Sequence, residues 1–514
     1  MRSGLGFSSL VAMGALVATT WNAGCANGGS VFDVRETADA GSSANNGDVD
    51  GGCLTCGSGY TVGQGCPPGL ECHVQCENGG TTTISGKVYD PAGRNALYGV
   101  AVYVPQKPLE PLPRGVPTGA DACSCSALYK SGAVVSDTTK ADGSFTLKDA
   151  PVGPKVPLVL QIGKWRRQVT IDVKACRTNP QADQSLTLPG FIREGNTTDN
   201  MPDIAVSTGY ADSLECLLTR IGLPPSEYVA GASVGTGGHI HVFSGGTEQP
   251  SAGGMIGAPE SQPMEGAPAS DTHLWDSLEH MMPYDMTLLS CEGGETYDAK
   301  PAVLEQYLDA GGRAFASHYH YAWFTQPAES KQSYVPPADW GDALATWTVG
   351  TSPLLQANGL IVQSLNGSSD KFAKGAVMFE WLARNGALGL FGAPPTELPM
   401  IPPRYNAKVG PANKASQPWI QDDANGYTMY FSFDTPVNAA PKADGTPGYC
   451  GRAVFSDLHV GGETMPPDIG PPPAGCTHAD LSPQEKALEF MLFDLSSCVI
   501  PDAVEPPEGG LPTQ

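Results

Sequence analysis

The spacing of apolar residues changes near residue 200, and that change constrains the architecture more than any other feature of the chain. From Thr81, the runs "TTTISGKVYD", "YGVAVYVP", "GSFTLKDA" and "VPLVLQIGKWRRQVTIDV" alternate apolar and polar residues between Gly, Pro and Asp. Alternation with period two places every second side chain on one face of an extended strand, so this region reads as an antiparallel sandwich. After "REGNTTDNMPD" apolar strands alternate with amphipathic helices. "DIAVSTG" is a strand, and "ADSLECLLTRIG" sets Leu214, Leu217, Leu218 and Ile221 on one helical face with Gly222 as the stop. "YDMTLLSCEGG" is a second strand, and "KPAVLEQYLDAGG" a helix opening at Pro301. "RAFASHYHYAWF" is a third strand that carries His318 and His320 toward its carboxyl end. Later come the strands "GYTMYFSFDTPV" and "CGRAVFSDLHV". The helix "SPQEKALEFMLFDLSSC" follows, opened by a capping box of Ser482 and Glu485. Strand–helix–strand units of this kind build a parallel sheet covered by helices.

The amino terminus predicts export. "MRSGLGFSSLVAMGALVATTWNAGC" has one basic residue, an apolar stretch too short to span a bilayer and small residues before Cys25, which is the pattern of a signal peptide over 1–24. Residues 25–52 contain almost nothing to bury and read as a flexible acidic tether. The 14 cysteines suit an oxidising compartment, with five crowded between Cys53 and Cys76 in a stapled element over 53–80. Acidic residues outnumber basic ones by 53 to 29, which excludes nucleic acid as a partner, since that binding needs clustered Lys and Arg. The tail over 501–514 is expected to be disordered.

Two resemblances sharpen this outline. "SGKVYDPAGRNALYGVAVYVP" with "TKADGSFTLKDAPVG" resembles the carboxypeptidase regulatory-like (transthyretin-like) sandwich, over about 81–190. "YDMTLLSCEGGE", "LEQYLDAGGRAFASHYHY" and "GRAVFSDLHVGGE" resemble the class I glutamine amidotransferase-like fold in its trehalose-utilisation (ThuA-like) branch, over about 200–500. The fold class implied is multidomain: an all-β sandwich followed by a three-layer, flavodoxin-like α/β domain. "NAGC" resembles a bacterial lipobox, so Cys25 is the expected lipidation site, and the whole resembles a bacterial lipoprotein of myxobacterial type. The expected location is the outer membrane or cell surface, the alternative being periplasmic or secreted. The implied partners are envelope lipid through Cys25 and an unknown small ligand or surface partner.

The same resemblance places the candidate site. It puts His318 where glutamine amidotransferases present a nucleophilic Cys, and a neutral imidazole does not replace an attacking thiolate, so glutaminase activity is not expected. Cys291, at the end of the preceding strand, reads as a disulfide partner, with Cys216 favoured. In open parallel sheets ligands bind beyond the carboxyl ends of the strands. The expected cleft is therefore lined by Glu292, Gly293, Gly294, Glu295, His318, Tyr319, His320 and Tyr321, with His318, Asp457 and His459 as catalytic candidates. His239 and His241 in "GGHIHVF" share the His-x-His spacing. With His318, His320 and His459 they are the candidate ligands of zinc or a related transition metal, although no cofactor is required by the favoured interpretation. That interpretation is ligand binding or surface interaction. The alternative is a metal-dependent or His-based hydrolase or carbohydrate-modifying enzyme.

Overall fold

The computed structural model describes residues 66–511 apart from 73, 232–236, 247–259, 262, 297, 329–332, 350–355, 443–446, 462–467 and 505–510. The expected signal peptide, Cys25, the tether, Cys53 and Cys56 lie outside the described residues.

The period-two region forms short strands: β1 (Thr83–Tyr89), β2 (Ala101–Pro105), β3 (Ala133–Thr138), β4 (Ser144–Lys148), β5 (Gly153–Ile162), β6 (Trp165–Val173), β7 (Thr178–Pro180) and β8 (Leu186–Thr187). One sheet has the order β4-β1-β7, with β8 also on β1, and the other has the order β3-β2-β5-β6. β2, β3, β5 and β6 pair antiparallel, whereas β7 and β8 run parallel to β1. Alternate residues of the two sheets, among them Ile84, Val88, Val102, Val104, Leu158 and Leu160, are buried, as the alternation requires.

The second region contributes β9 (Ile204–Thr208), α1 (Leu214–Arg220), β10 (Tyr228–Ala230), β11 (Ile240–Ser244), β12 (Glu260–Ser261), α2 (Ser270–His273), α3 (Leu278–Met281), β13 (Met286–Leu289), α4 (Pro301–Asp309) and β14 (Arg313–Ser317). Then follow β15 (Thr346–Trp347), β16 (Ala357–Ile361), α5 (Ala373–Arg384), β17 (Leu398–Met400), β18 (Ala407–Lys408), β19 (Ser416–Asp422), β20 (Thr428–Thr435), β21 (Gly451–Ser456), β22 (Ile469–Gly470) and α6 (Pro483–Ser496). Ten of these strands form one sheet in the order β10-β11-β9-β13-β14-β21-β20-β19-β16-β17. The first six are mutually parallel, and β20, β19, β16 and β17 extend the sheet antiparallel. β12 with β22 and β15 with β18 make two small satellites. The chain is thus sheet-rich, with several sheets and few helices.

Local chemistry explains the helix ends. Ser482 accepts from the Glu485 N–H while the Glu485 carboxylate accepts from the Ser482 N–H, and Pro483 holds the first position. α1 buries Leu214, Leu217 and Leu218 and stops at Gly222, whose φ of +106° suits glycine. A Cβ on Gly222 would also sit 2.4 Å from the backbone N of Ala92, so the residue lets the sandwich approach the mixed sheet. One apolar cluster runs from Ile84 and Val88 through Leu217 and Val242 to Phe490 and Leu495, joining the two regions. Two disulfides add to that seam, Cys123–Cys450 and Cys125–Cys498. Cys66–Cys72 and Cys76–Cys176 staple the first sheet-forming region.

The fifth bridge corrects an expectation. Cys216 pairs with Cys476, and Cys291 is a free, buried thiol. β13 carries Cys291 away from α1 toward the end of β14, where its neighbour is an imidazole. Among the described residues, no helix is long and apolar enough to cross a membrane.

Candidate functional site

Four adjacent parallel strands, β9, β13, β14 and β21, end at one edge of the sheet, and the residues just past those ends converge. The run expected to stay extended through the histidines breaks at Ser317, and His318 to Trp323 coil into a 3-10 turn. The break is at His318, whose φ is +42°. Left-handed backbone is uncommon outside glycine and costs about 1 kcal/mol or more, so surrounding contacts must hold it. Ser317 supplies them: its hydroxyl donates to Asp212 Oδ2 at 2.6 Å and accepts from the Cys291 N–H at 2.9 Å. Asp212 Oδ1 in turn accepts from the Val460 N–H at 2.8 Å. One buried carboxylate therefore ties the ends of β9, β14 and β21 together. Burial pushes Asp212 up to about 7, against the pull of these hydrogen bonds. Glycine assists: a Cβ on Gly209 would lie 2.1 Å from the Cys291 carbonyl oxygen.

Around this bend, Cys291 Sγ lies 3.2 Å from His318 Nδ1, and the His318 and His459 rings are 5.2 Å apart. The ligand atoms of Cys291, His318 and His459 all fall within 4.8 Å of one another, so the group could hold a metal ion. The sulfur also faces the backbone N–H groups of Tyr319 and Gly293. All three residues are buried, and Nε2 of both histidines has no hydrogen-bond partner among the described residues. Burial pushes the Cys291 thiol up to about 12 and both imidazoles well down, so without a further charge the trio is neutral.

Asp457 accepts from the Asn406 N–H at 2.7 Å, and burial raises it to about 7. The buried guanidinium of Arg404 donates to the carbonyl of Pro402 at 3.0 Å and attracts Cys291, Asp457 and Asp212. His320 turns away from the trio. Its Nδ1 donates to the Ser317 carbonyl at 3.1 Å, and its Nε2 stands 4.0 Å from Glu292 Oε1. Burial lowers His320 to about 4 and raises Glu292 to about 7.

The remaining expected site residues are placed as follows. Glu295 accepts from the Tyr321 hydroxyl at 2.6 Å and from the Ala328 N–H at 2.8 Å, and Gly293 adopts a φ of +82° between these acids. Gly294 is half-buried beside it, and Tyr319 packs against the His318 ring. Tyr321 is buried in an aromatic core that also holds Trp323 and Trp340. His239 and His241 lie toward the amino end of β11, away from this edge. His239 Nδ1 is 2.6 Å from Glu227 Oε2, and His241 lies between the Gly231 carbonyl and Asp203 Oδ1 at 3.1 and 3.2 Å. The structure therefore joins His318 and His459 to Cys291, and does not bring His239, His241 or His320 into that group.

Sequence reasoning passed over Asp212 and Arg404 and gave Cys291 a different role. For Asp212 the signal was present in "STGYADS", an acid just past the carboxyl end of a strand. Arg404 sits in the Pro-rich "MIPPRYN", where neither periodicity nor motif marks it.

No protein-family model and no curated protein matches the chain. Among solved structures, it is similar over 26% of its length to 79% of a chain from a type II cohesin–X-dockerin complex of Acetivibrio cellulolyticus, with 16% identity and a TM-score of 0.15.

Proposed function

We propose that the protein is an exported envelope protein, lipid-anchored through Cys25. Its mixed sheet is a flavodoxin-like domain of the class I glutamine amidotransferase type, and its sheet-end centre binds a small ligand instead of hydrolysing glutamine. One observation carries this: the strained bend after β14 holds His318, the position at which the resemblance expects a nucleophilic sulfur. Cys291 does not restore that chemistry. Its sulfur is fully buried, whereas attack on an amide needs an accessible thiolate. Six parallel strands with converging carboxyl ends support the domain assignment.

A second reading, a His-based or metal-assisted hydrolase or carbohydrate-modifying enzyme, is favoured by the convergence of His318, His459 and Cys291. In it His318 is the base, Asp457 and His459 assist, and zinc or a related transition ion is the cofactor.

The test uses the purified mature protein. Incubation with glutamine is expected to release no ammonia. Thermal unfolding against a panel of mono- and disaccharides is expected to show a stabilising ligand whose effect is lost in His318→Ala. Ammonia release abolished by Cys291→Ala would overturn the proposal, and turnover of a stabilising sugar would move the assignment to the second reading.

A further inference from the structure

We infer that Cys291, His318 and His459 are the three protein ligands of a zinc-class ion, with Cys291 bound as thiolate and a fourth position left for water or a small ligand. The inference rests on the coordinates of this cluster and not on kinship with amidotransferases, so either can fail alone.

The donor set selects the ion. One sulfur and two imidazole nitrogens suit zinc, cobalt or copper, whereas calcium and magnesium take oxygen. Ligand atoms around a tetrahedral zinc, with bonds of about 2.0–2.3 Å, stand roughly 3.3–3.8 Å apart. Here Sγ and Nδ1 are 3.2 Å apart and the whole set lies within 4.8 Å, so small side-chain shifts suffice. Three ligands from the ends of β13, β14 and β21 are carried on a rigid frame. Asp212 and Ser317 fix the bend beside His318, and Gln484 Nε2 donates to the His459 carbonyl at 2.6 Å. Among the described residues, no fourth His, Cys, Asp or Glu joins the group, which is the pattern of an open rather than a closed site.

A further observation points to a ligand. His459 Nε2 is buried and finds no hydrogen-bond partner among the described residues, an arrangement that folded proteins avoid. Arg404 would repel a cation at this depth, but the buried carboxylates of Asp212 and Asp457 lie beside it. Core packing alone would explain three small apolar residues here, not three donors.

The experiment takes the full mature chain with its disulfides formed, strips it with a chelator and titrates it with zinc or cobalt alone. One equivalent should bind, and the cobalt form should show a thiolate-to-metal charge-transfer band. Cys291→Ala should remove the band, and Cys291→Ala and His459→Ala should each weaken zinc binding by more than roughly 100-fold. His478→Ala, at an exposed histidine, should bind as the parent does. Near-ultraviolet circular dichroism checks the fold of each variant. Failure of the parent chain to bind one equivalent, or a cobalt complex without the sulfur band, overturns the inference. So does zinc binding that survives in folded Cys291→Ala. The parent-chain titration decides even where a variant does not fold.

Discussion

The two ends of β21 and its neighbour β14 both bury polar groups, in opposite ways. At the amino end, Arg313 and Arg452 are register partners. Arg452 reaches Asp434 at 2.6 and 3.1 Å, Asp502 at 3.1 Å and Asp494 at 3.5 Å, while Lys374 takes the other oxygen of Asp494 at 2.6 Å. Arg313 donates to the carbonyls of Gly311, Gly312, Cys450 and Leu495. At the carboxyl end, His318, His320, His459, Glu292 and Asp457 each leave a buried atom without a partner among the described residues. Arg452 is as buried as these groups, and only it has its partners supplied. A buried charge that is fully partnered anchors a fold, whereas buried donors and acceptors left open mark a place kept for something else.

The largest expected effect is at the satisfied end. Arg452→Met keeps most of the volume but leaves Asp434 and Asp502 without their cation and Asp494 with Lys374 alone, and should lower the unfolding free energy by about 3–5 kcal/mol in denaturant titration. A loss under about 1 kcal/mol would erase the distinction between the ends. Next, Cys123→Ser with Cys450→Ser opens the bridge beside this cluster and should cost about 2–4 kcal/mol, read in the same way.

An intermediate case lies where the sandwich meets α6. Asp90 and Glu489 face each other in the interior, with Asn95 donating to Glu489 Oε2 at 2.7 Å, and each has an oxygen that only a shared proton would partner. Burial, joined at Glu489 by the charge of Asp90, raises both above the ordinary carboxylate range. Groups raised on folding stabilise at low pH and lose that contribution as pH climbs toward their folded values. Stability should therefore fall by on the order of 2 kcal/mol between about pH 4 and about pH 7 from this pair. Glu489→Gln should flatten that slope, and an unchanged slope would refute the pairing.

The smallest effect is expected at the open end. His318→Asn keeps a residue that tolerates left-handed backbone, and should change stability by less than about 1 kcal/mol while abolishing cobalt binding. A large destabilisation would make His318 a packing residue and remove the contrast.

Part of this was legible in sequence, and the particular residues show why. Ser482 and Glu485 announced a helix start because a capping box is satisfied within four residues. Leu214, Leu217 and Leu218 announced a buried helical face for the same local reason. His318 was marked by its place after an apolar strand and two glycines. The partners of Cys216 and Cys291 were not legible, since a bridge to Cys476 and a contact with His318 depend on which strands become neighbours.

Local periodicity thus determined where strands and helices form, which ends they expose and which of them carry histidine. The tertiary structure alone decided that the chain runs left-handed at His318, that Asp212 ties three strand ends together and that Cys291 stays unpaired beside two imidazoles. The physical reason is one of range. Backbone propensity acts over a few residues, whereas the site is assembled by hydrogen bonds and contacts between groups 26 to 248 positions apart, which only the order of strands in the sheet brings within reach.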